Sequence, residues 1–191
     1  MNEAFQDDAR FSRLSVAVHW LSVLIVMAAF ALGWLRDLLE ESGWGDVMLM
    51  IHRQLGVTVM LLLILRLTVR LTSKSEPSIK AINALSLLGK LSHLTLYGFL
   101  VVLPILGWAM TNAQGHSVSL WGVFNLPELM SVDPDWADTL QEWHEQAGVA
   151  LLLMVALHAA AALVHHYVLK DEVLMGMLPV LKKRRTSRAP N

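Results

Sequence analysis

The chain contains no cysteine. This absence excludes disulfides, thiolate zinc sites, iron–sulfur clusters and haem attached covalently through a CxxCH motif. Any metal or cofactor must therefore be held by histidine, methionine or oxygen ligands. Charge is also scarce, because Asp, Glu, Lys and Arg make up 16% of the 191 residues, compared with about 25% in soluble domains. Hydrophobic residues make up 55%, which indicates a membrane protein.

The hydrophobic residues cluster in four long runs, at 14–35, 47–71, 85–111 and 144–169. Each run reaches the ~20 residues that a helix needs to cross a hydrocarbon core about 30 Å thick. Leu, Ala and Met are frequent in them and do not alternate with polar residues, which favours helices over barrel strands. The sequence therefore predicts an all-α integral membrane four-helix bundle at 14–171. It is preceded by a segment at 1–13, without a signal-peptide cleavage pattern, and followed by a basic tail at 172–191.

Basic residues are distributed unevenly between the connections. They concentrate between runs two and three and after run four: Arg70, Lys74, Lys80, Lys90, Lys170, Lys182, Lys183, Arg184, Arg185 and Arg188. The connection between runs three and four is acidic and has no Lys or Arg. By the positive-inside rule, both termini are predicted to be cytoplasmic. We interpret the basic tail as a contact with anionic lipid, and no nucleic-acid site is predicted.

Tryptophans mark the opposite, outer face of the predicted bundle. Six of them fall near it, as in an interfacial aromatic belt: Trp34, Trp44, Trp108, Trp121, Trp136 and Trp143.

Four histidines lie inside the hydrophobic runs. The predicted orientation places His52 and His144 level near the outer face, and His19 and His158 level near the inner face. His144 and His158 lie on one face of one helix, roughly 21 Å apart at ~1.5 Å per residue. Ionisable side chains at membrane depth are costly and usually functional. Two pairs, one in each leaflet, are the arrangement that holds two haems by two axial imidazoles each, with both haems in the bundle core.

Other interpretations of these histidines remain open. A histidine in a membrane helix can simply form a hydrogen bond to a neighbouring helix. A zinc or copper transport site would usually recruit carboxylates or thiolates, which the interiors of the runs lack. His93 competes with His19 as the partner of His158, whereas His116 lies in the outer loop and is expected to be solvated. His166 is interpreted as an interfacial residue.

Several motifs resemble the bacterial cytochrome b561 family over almost the whole chain, from about Arg13 to Asp171. They include Arg13-Leu14, His19-Trp20-Leu21, His52-Arg53-Gln54-Leu55-Gly56, Gly107-Trp108, Trp143-His144-Glu145, Leu157-His158 and His165-His166-Tyr167. The resemblance implies a di-haem b cytochrome of the bacterial inner membrane that exchanges electrons with ubiquinone. It also implies that His52 and His144 bind the outer haem and that His19 and His158 bind the inner haem.

The family resemblance leaves the electron donor open. Members include a type that oxidises superoxide at the outer face, and related cytochromes anchor a partner dehydrogenase or hydrogenase. An anionic donor would be repelled by the acidic outer loops unless Arg36 and Arg53 form a local positive funnel.

The basic residues near the predicted haems have candidate roles. Haem propionates must meet cations or water, so Arg53 is a candidate at the outer haem, and Arg66 and Arg70 at the inner haem. Interfacial anchoring is an equally valid reading of Arg70. Quinone needs hydrogen-bond partners and protons, which favours a position near the inner haem. The candidate quinone contacts there are His93, His165 and Lys90.

Overall fold

The computed structural model describes residues 13–72, 84–171 and 173–178. Four long helices dominate it: α1 (Arg13–Leu38), α2 (Gly45–Thr72), α3 (Ala84–Ala113) and α4 (Pro134–Tyr167). Between them lie a 3-10 turn (Glu40–Ser42) and two short strands, β1 (Ser119–Leu120) and β2 (Phe124–Asn125), and a short helix α5 (Val173–Met177) follows. The predictions for 1–12, for Lys74, Lys80 and for the tail residues Lys182, Lys183, Arg184, Arg185 and Arg188 lie outside the described residues.

All four long helices are long and apolar enough to cross a membrane, which confirms the predicted all-α membrane bundle. Large aliphatic side chains face outward on them, and Leu24, Leu153 and Leu157 are each more than 60% exposed. Such apolar faces would be unfavourable in water. In lipid they are favourable, and a helix there pairs its backbone N–H and C=O groups internally.

Helix α4 begins at Pro134, ten residues before the hydrophobic run predicted at 144. Asp133 caps it, because its side chain accepts a hydrogen bond from the Trp136 backbone N–H at 3.1 Å, and Pro134 occupies a first-turn position where no N–H is needed. The acidic first turns of α4 lower the local hydropathy, so the hydrophobic run marks only the membrane part of the helix.

The most extensive helix contacts are between α1 and α2 and between α3 and α4, and α2 also contacts α3. The bundle therefore consists of two helical hairpins side by side. We call the end where α1 turns into α2 and α3 connects to α4 the hairpin end, and the end where α1 begins and α4 finishes the opposite end.

A β-hairpin lies in the α3–α4 connection and was not predicted. Ser119 pairs with Asn125 and Leu120 with Phe124 in an antiparallel ladder. Three residues, 121–123, connect the strands, and the first two of them, Trp121 and Gly122, have positive φ angles of 50° and 74°, as in the turns whose twist matches that of paired strands.

Candidate functional site

At the hairpin end, the imidazoles of His52 on α2 and His144 on α4 face each other. Their ring centroids are 6.0 Å apart and their planes are inclined at 77°. The Nδ1 atom of His52 lies 2.7 Å from the Ala29 carbonyl oxygen on α1, and that of His144 lies 3.1 Å from the Leu103 carbonyl oxygen on α3. A carbonyl can only accept, so each Nδ1 donates its proton. In the neutral imidazole, the Nε2 atom of each ring is then unprotonated, as a metal ligand requires.

Glycines on the neighbouring helices allow these rings to approach. Gly33 follows Ala29 by four residues, and Gly107 follows Leu103 by four residues, so each lies one helical turn beyond the accepting carbonyl. A Cβ atom at Gly33 would lie 3.4 Å from the His52 ring, and one at Gly107 would lie 3.1 Å from Cε1 of His144. Sequence reasoning missed both roles, although Gly107 was part of the family resemblance.

A cavity of about 440 Å³ surrounds the His52–His144 pair and is bordered by side chains from all four long helices. Gly56 and Gly148 are among its lining residues, and a Cβ at Gly56 would contact nothing within 4 Å. Arg53 and Trp108 also line it, and Nε of Arg53 and Nε1 of Trp108 are buried without a hydrogen-bond partner. Such orphaned donors indicate a ligand with acceptor atoms. Trp108 therefore lines the cavity at this end of the bundle, and its place in the interfacial belt stays a prediction.

The two imidazoles have the spacing of axial ligands to one metal. Two metal–nitrogen bonds of about 2 Å each, plus the two ring radii, span roughly 6 Å, which matches the 6.0 Å between the centroids. No group of three or more His, Asp or Glu side chains in the described residues is placed to hold a metal ion. The pair therefore suits a metal that brings its own equatorial ligands, as haem iron does.

At the opposite end, three histidines come together. The rings of His93 and His158 are 5.2 Å apart between centroids, and His19 interacts electrostatically with both. The Nδ1 atom of His19 is buried without a partner. His19 and His158 are half-buried, whereas His93 is exposed. The predicted pairing of His19 with His158 stays a prediction, with His93 as the ring in direct contact with His158.

The two arginines of α2 near the three-histidine cluster share one aromatic ring. The guanidinium carbon of Arg66 lies 5.4 Å and that of Arg70 lies 6.0 Å from the centroid of Tyr97 on α3. A cation over an aromatic face is stabilised electrostatically, so Tyr97 helps to place both charges. The charge of Arg66 acts on all three histidines of the cluster.

The remaining predicted site residues lie near the ends of the helices. His165 forms a very short contact through Nδ1 with the carboxylate of Asp171, a partner that sequence reasoning missed. Lys90 and His116 are exposed, and the ring of His166 stacks edgewise on Tyr167. Among the described residues, the hydrogen-bond partner of His165 is Asp171 and not Lys90.

A membrane four-helix bundle with facing, carbonyl-anchored imidazoles defines a b-type cytochrome. The family model described as Prokaryotic cytochrome b561 matches residues 10–180. The chain belongs to the prokaryotic cytochrome b561 family, and is therefore a multi-pass membrane redox protein that binds b-type haem.

Curated relatives cover nearly the full chain. The chain is 32% identical over 176 residues to a probable superoxide oxidase, CybB, from Yersinia pestis, which covers 92% of this chain and 98% of that relative. It is also 32% identical to cytochrome b561 homolog 2 from Escherichia coli strain K12, over 88% of this chain and 91% of that protein. Cytochrome b561 homolog 1 of the same strain is 32% identical to this chain, over 89% of this chain and 97% of that protein.

Proposed function

We propose that this cytochrome holds two haem b groups, one at each end of the bundle, and carries electrons from a donor at the hairpin end to quinone at the opposite end. Bound haem supplies one-electron transfer, and the protein supplies ligands, burial and counter-charges. The observation that carries the proposal is the His52–His144 pair, in which both Nδ1 atoms are already engaged by backbone carbonyls. In this proposal the hairpin end faces outward from the bacterial inner membrane and both termini are cytoplasmic.

The ligand assignment follows from the two clusters. His52 and His144 would hold one haem, and His19 and His158 the other, since His19 is the more buried of the two candidates and has an unpaired Nδ1. His93, in contact with His158, would then line the inner haem or quinone site.

Haem counting and spectroscopy of variants test this assignment. Pyridine extraction of the purified chain should give two haems, and dithionite-reduced minus oxidised spectra should show b-type bands. His144→Ala should remove one haem and leave the other, and His158→Ala should remove the second and leave the first. His116→Ala is the control, because this exposed loop residue should keep both. Loss of the inner haem from His93→Ala, together with its retention in His19→Ala, would reverse the assignment of the inner ligand.

Three arginines are suited to haem propionates. Arg53 lines the cavity at the hairpin end, with a buried and unpartnered Nε. Arg66 and Arg70 lie over Tyr97 near the three-histidine cluster. Carboxylates in a poorly solvated site need such charged donors. Arg53→Gln should weaken binding of the outer haem and should alter the reduction potential of that haem.

Quinone reduction at the opposite end requires protons as well as electrons. His165 and Asp171 are 30% and 36% exposed at their side chains, so they can exchange protons with water. With Nδ1 directed to the carboxylate, Nε2 of His165 is the atom available to a quinone oxygen. We include His93 and Lys90 as further candidate contacts of the quinone head group.

Superoxide is the donor that we favour at the hairpin end, where it would give up one electron and leave as O₂. A relative is named a probable superoxide oxidase. A second cavity, of about 540 Å³, lies at this end and shares Arg53 with the first; Gln54, Gln114 and His116 also line it. This cavity gives a small anion a route to the cationic Arg53, although the carboxylate of Asp46 also lines it.

Superoxide-dependent quinone reduction by the purified, haem-loaded protein in lipid tests the choice of donor. The rate should fall with rising ionic strength and should fall further in Arg53→Gln than in Arg70→Gln. A rate no higher than that of the His52→Ala, His144→Ala double variant, which should lack the outer haem, would remove superoxide as the donor. Stable co-purification of a soluble dehydrogenase with an otherwise inactive chain would assign the donor to a protein partner.

A further inference from the structure

The β-hairpin of the α3–α4 connection is attached to the side of α2. Its tip residue Trp121 donates its backbone N–H to Oε1 of Gln54 at 2.6 Å and its indole Nε1–H to Oγ1 of Thr58 at 3.1 Å. Gln54 and Thr58 therefore hold both donors of one residue, one helical turn apart on α2.

These contacts fix the depth of the hairpin tip. Gln54 and Thr58 lie two and six residues further along α2 than His52, which is about 3 and 9 Å deeper at ~1.5 Å per residue. Trp34 and Trp143 mark the level of His52, because each adjoins a residue of the His52–His144 site, Gly33 or His144. Their side chains are 69% and 49% exposed, as expected of an interfacial belt. The tip of the β-hairpin therefore lies at the level of the tryptophan belt or deeper in the membrane.

The composition of the hairpin fits that depth. Residues 117–127 contain no Asp, Glu, Lys, Arg or His, although the flanking connection is acidic. The exposed tip is apolar, with Trp121 at 56%, Val123 at 88% and Phe124 at 61% exposure. These side chains would be poorly placed in water, but they suit the boundary between lipid headgroups and acyl chains.

Backbone hydrogen bonds close the turn and the base of the hairpin, which lowers the cost of placing it at membrane depth. The Val123 N–H donates to the Leu120 carbonyl at 2.9 Å, and the Leu126 N–H donates to the Val118 carbonyl at 2.8 Å. Trp121 has a φ of 50°, which is unfavourable for a residue other than glycine, and its two hydrogen bonds to α2 offset that strain.

We propose that residues 118–126 form a membrane-inserted hairpin, whose tip binds the interfacial region of the lipid leaflet at the hairpin end. Val118 and Leu126 at its base line the His52–His144 cavity, so lipid and Trp121 together hold one wall of that cavity. The placement rests on contacts with α2 and on exposure, and it is independent of which donor or acceptor the cytochrome uses.

Because the chain has no cysteine, single-site labelling tests this directly. Val123→Cys carries a nitroxide in the full, haem-loaded chain reconstituted in vesicles, and collision rates with oxygen and with a water-soluble nickel chelate give its depth. Leu153→Cys on α4, which is 61% exposed, is the lipid control, and exposed Asp135→Cys is the aqueous control. We expect the oxygen-to-nickel ratio at 123 to lie closer to that at 153. A ratio equal to that at 135 would overturn the proposal.

The anchor is tested by adding Thr58→Val to the labelled protein. This change removes the hydroxyl that accepts from Trp121 and should lower the oxygen-to-nickel ratio at 123 severalfold. Thr68→Val is the matched control, because both threonine hydroxyls donate to the carbonyl four residues earlier and Thr68 lies ten residues, about 15 Å, further along α2 than Thr58. An unchanged ratio in Thr58→Val would show that the hydrogen bond from the Trp121 indole to Thr58 does not anchor the tip.

Discussion

At the scale of single residues, the accepting carbonyls and the glycines beyond them decide how the imidazoles are held. Ala29 and Leu103 offer backbone oxygens to His52 and His144, and Gly33 and Gly107 leave room for the rings. The second nitrogen of a ligating imidazole is usually engaged in this way, which fixes the orientation of the ring.

Gly107→Ala should weaken haem binding at the hairpin end. The added methyl would lie 3.1 Å from Cε1 of His144 and would displace the ring from Leu103. An overpacking cost of about 1.4 kcal/mol, within the usual range, corresponds to about tenfold weaker binding. Haem titration of the apoprotein measures the effect. Gly98→Ala on the same helix, where a Cβ meets nothing within 4 Å, should bind haem as the wild type does, and equal affinities in both variants would contradict the prediction.

Asp171→Asn should slow quinone reduction without loss of haem. Asparagine keeps an oxygen that can accept from Nδ1 of His165 but cannot take up and release a proton as a carboxylate does, so the rate of quinone reduction should fall severalfold. The readout is this rate in protein whose haem content equals that of the wild type. Asp135→Asn at the far end of α4 is the control, and an unchanged rate for Asp171→Asn would exclude Asp171 from proton delivery.

The sequence predicted that His52 and His144 lie together, but it did not predict their surroundings. Spacing of 14 residues places His144 and His158 on one face of a helix whatever the helix contacts. The identity of the carbonyl that receives each Nδ1 depends on how α2 is rotated against α1, and α4 against α3, and local sequence does not fix that rotation. For the same reason the sequence could not decide between His19 and His93.

At the scale of the elements, capping extends α4 beyond the membrane. Asp133→Ala removes the acceptor for the Trp136 N–H and should destabilise the helix start by about 1 kcal/mol. A lower thermal midpoint, measured by circular dichroism, is the expected result. Asp138→Ala, an exposed position inside α4, should change the midpoint far less, and equal midpoints in the two variants would contradict the capping role.

Hydropathy predicted the four spans well and the elements outside them poorly. A run of apolar residues marks only the part of a helix that lies in the membrane. Hydropathy therefore predicted the polar first turns of α4 as part of a loop. The hairpin was missed because its turn is Trp121-Gly122 instead of the usual Asn-Gly or Asp-Gly, and because its strands are only two residues long.

At the scale of the whole molecule, bound haem should stabilise the bundle. His52 and His144 lie on α2 and α4, which belong to different helical hairpins, and a ligand that binds only the folded state raises its stability. The His52→Ala, His144→Ala double variant should therefore unfold at a lower temperature than the wild type. His116→Ala should unfold at the same temperature as the wild type. A double variant as stable as the wild type would show that the α1–α2 and α3–α4 hairpins associate without the outer haem.

The division into α1–α2 and α3–α4 has a consequence for biosynthesis. Each half supplies one of the facing imidazole rings together with the carbonyl that orients it. Each half can therefore insert into the bilayer with the orientation of its imidazole already fixed. Haem binding between His52 and His144 then requires only that the two halves associate. A gene cut between the codons for residues 72 and 84 and expressed as two polypeptides should still yield a coloured cytochrome.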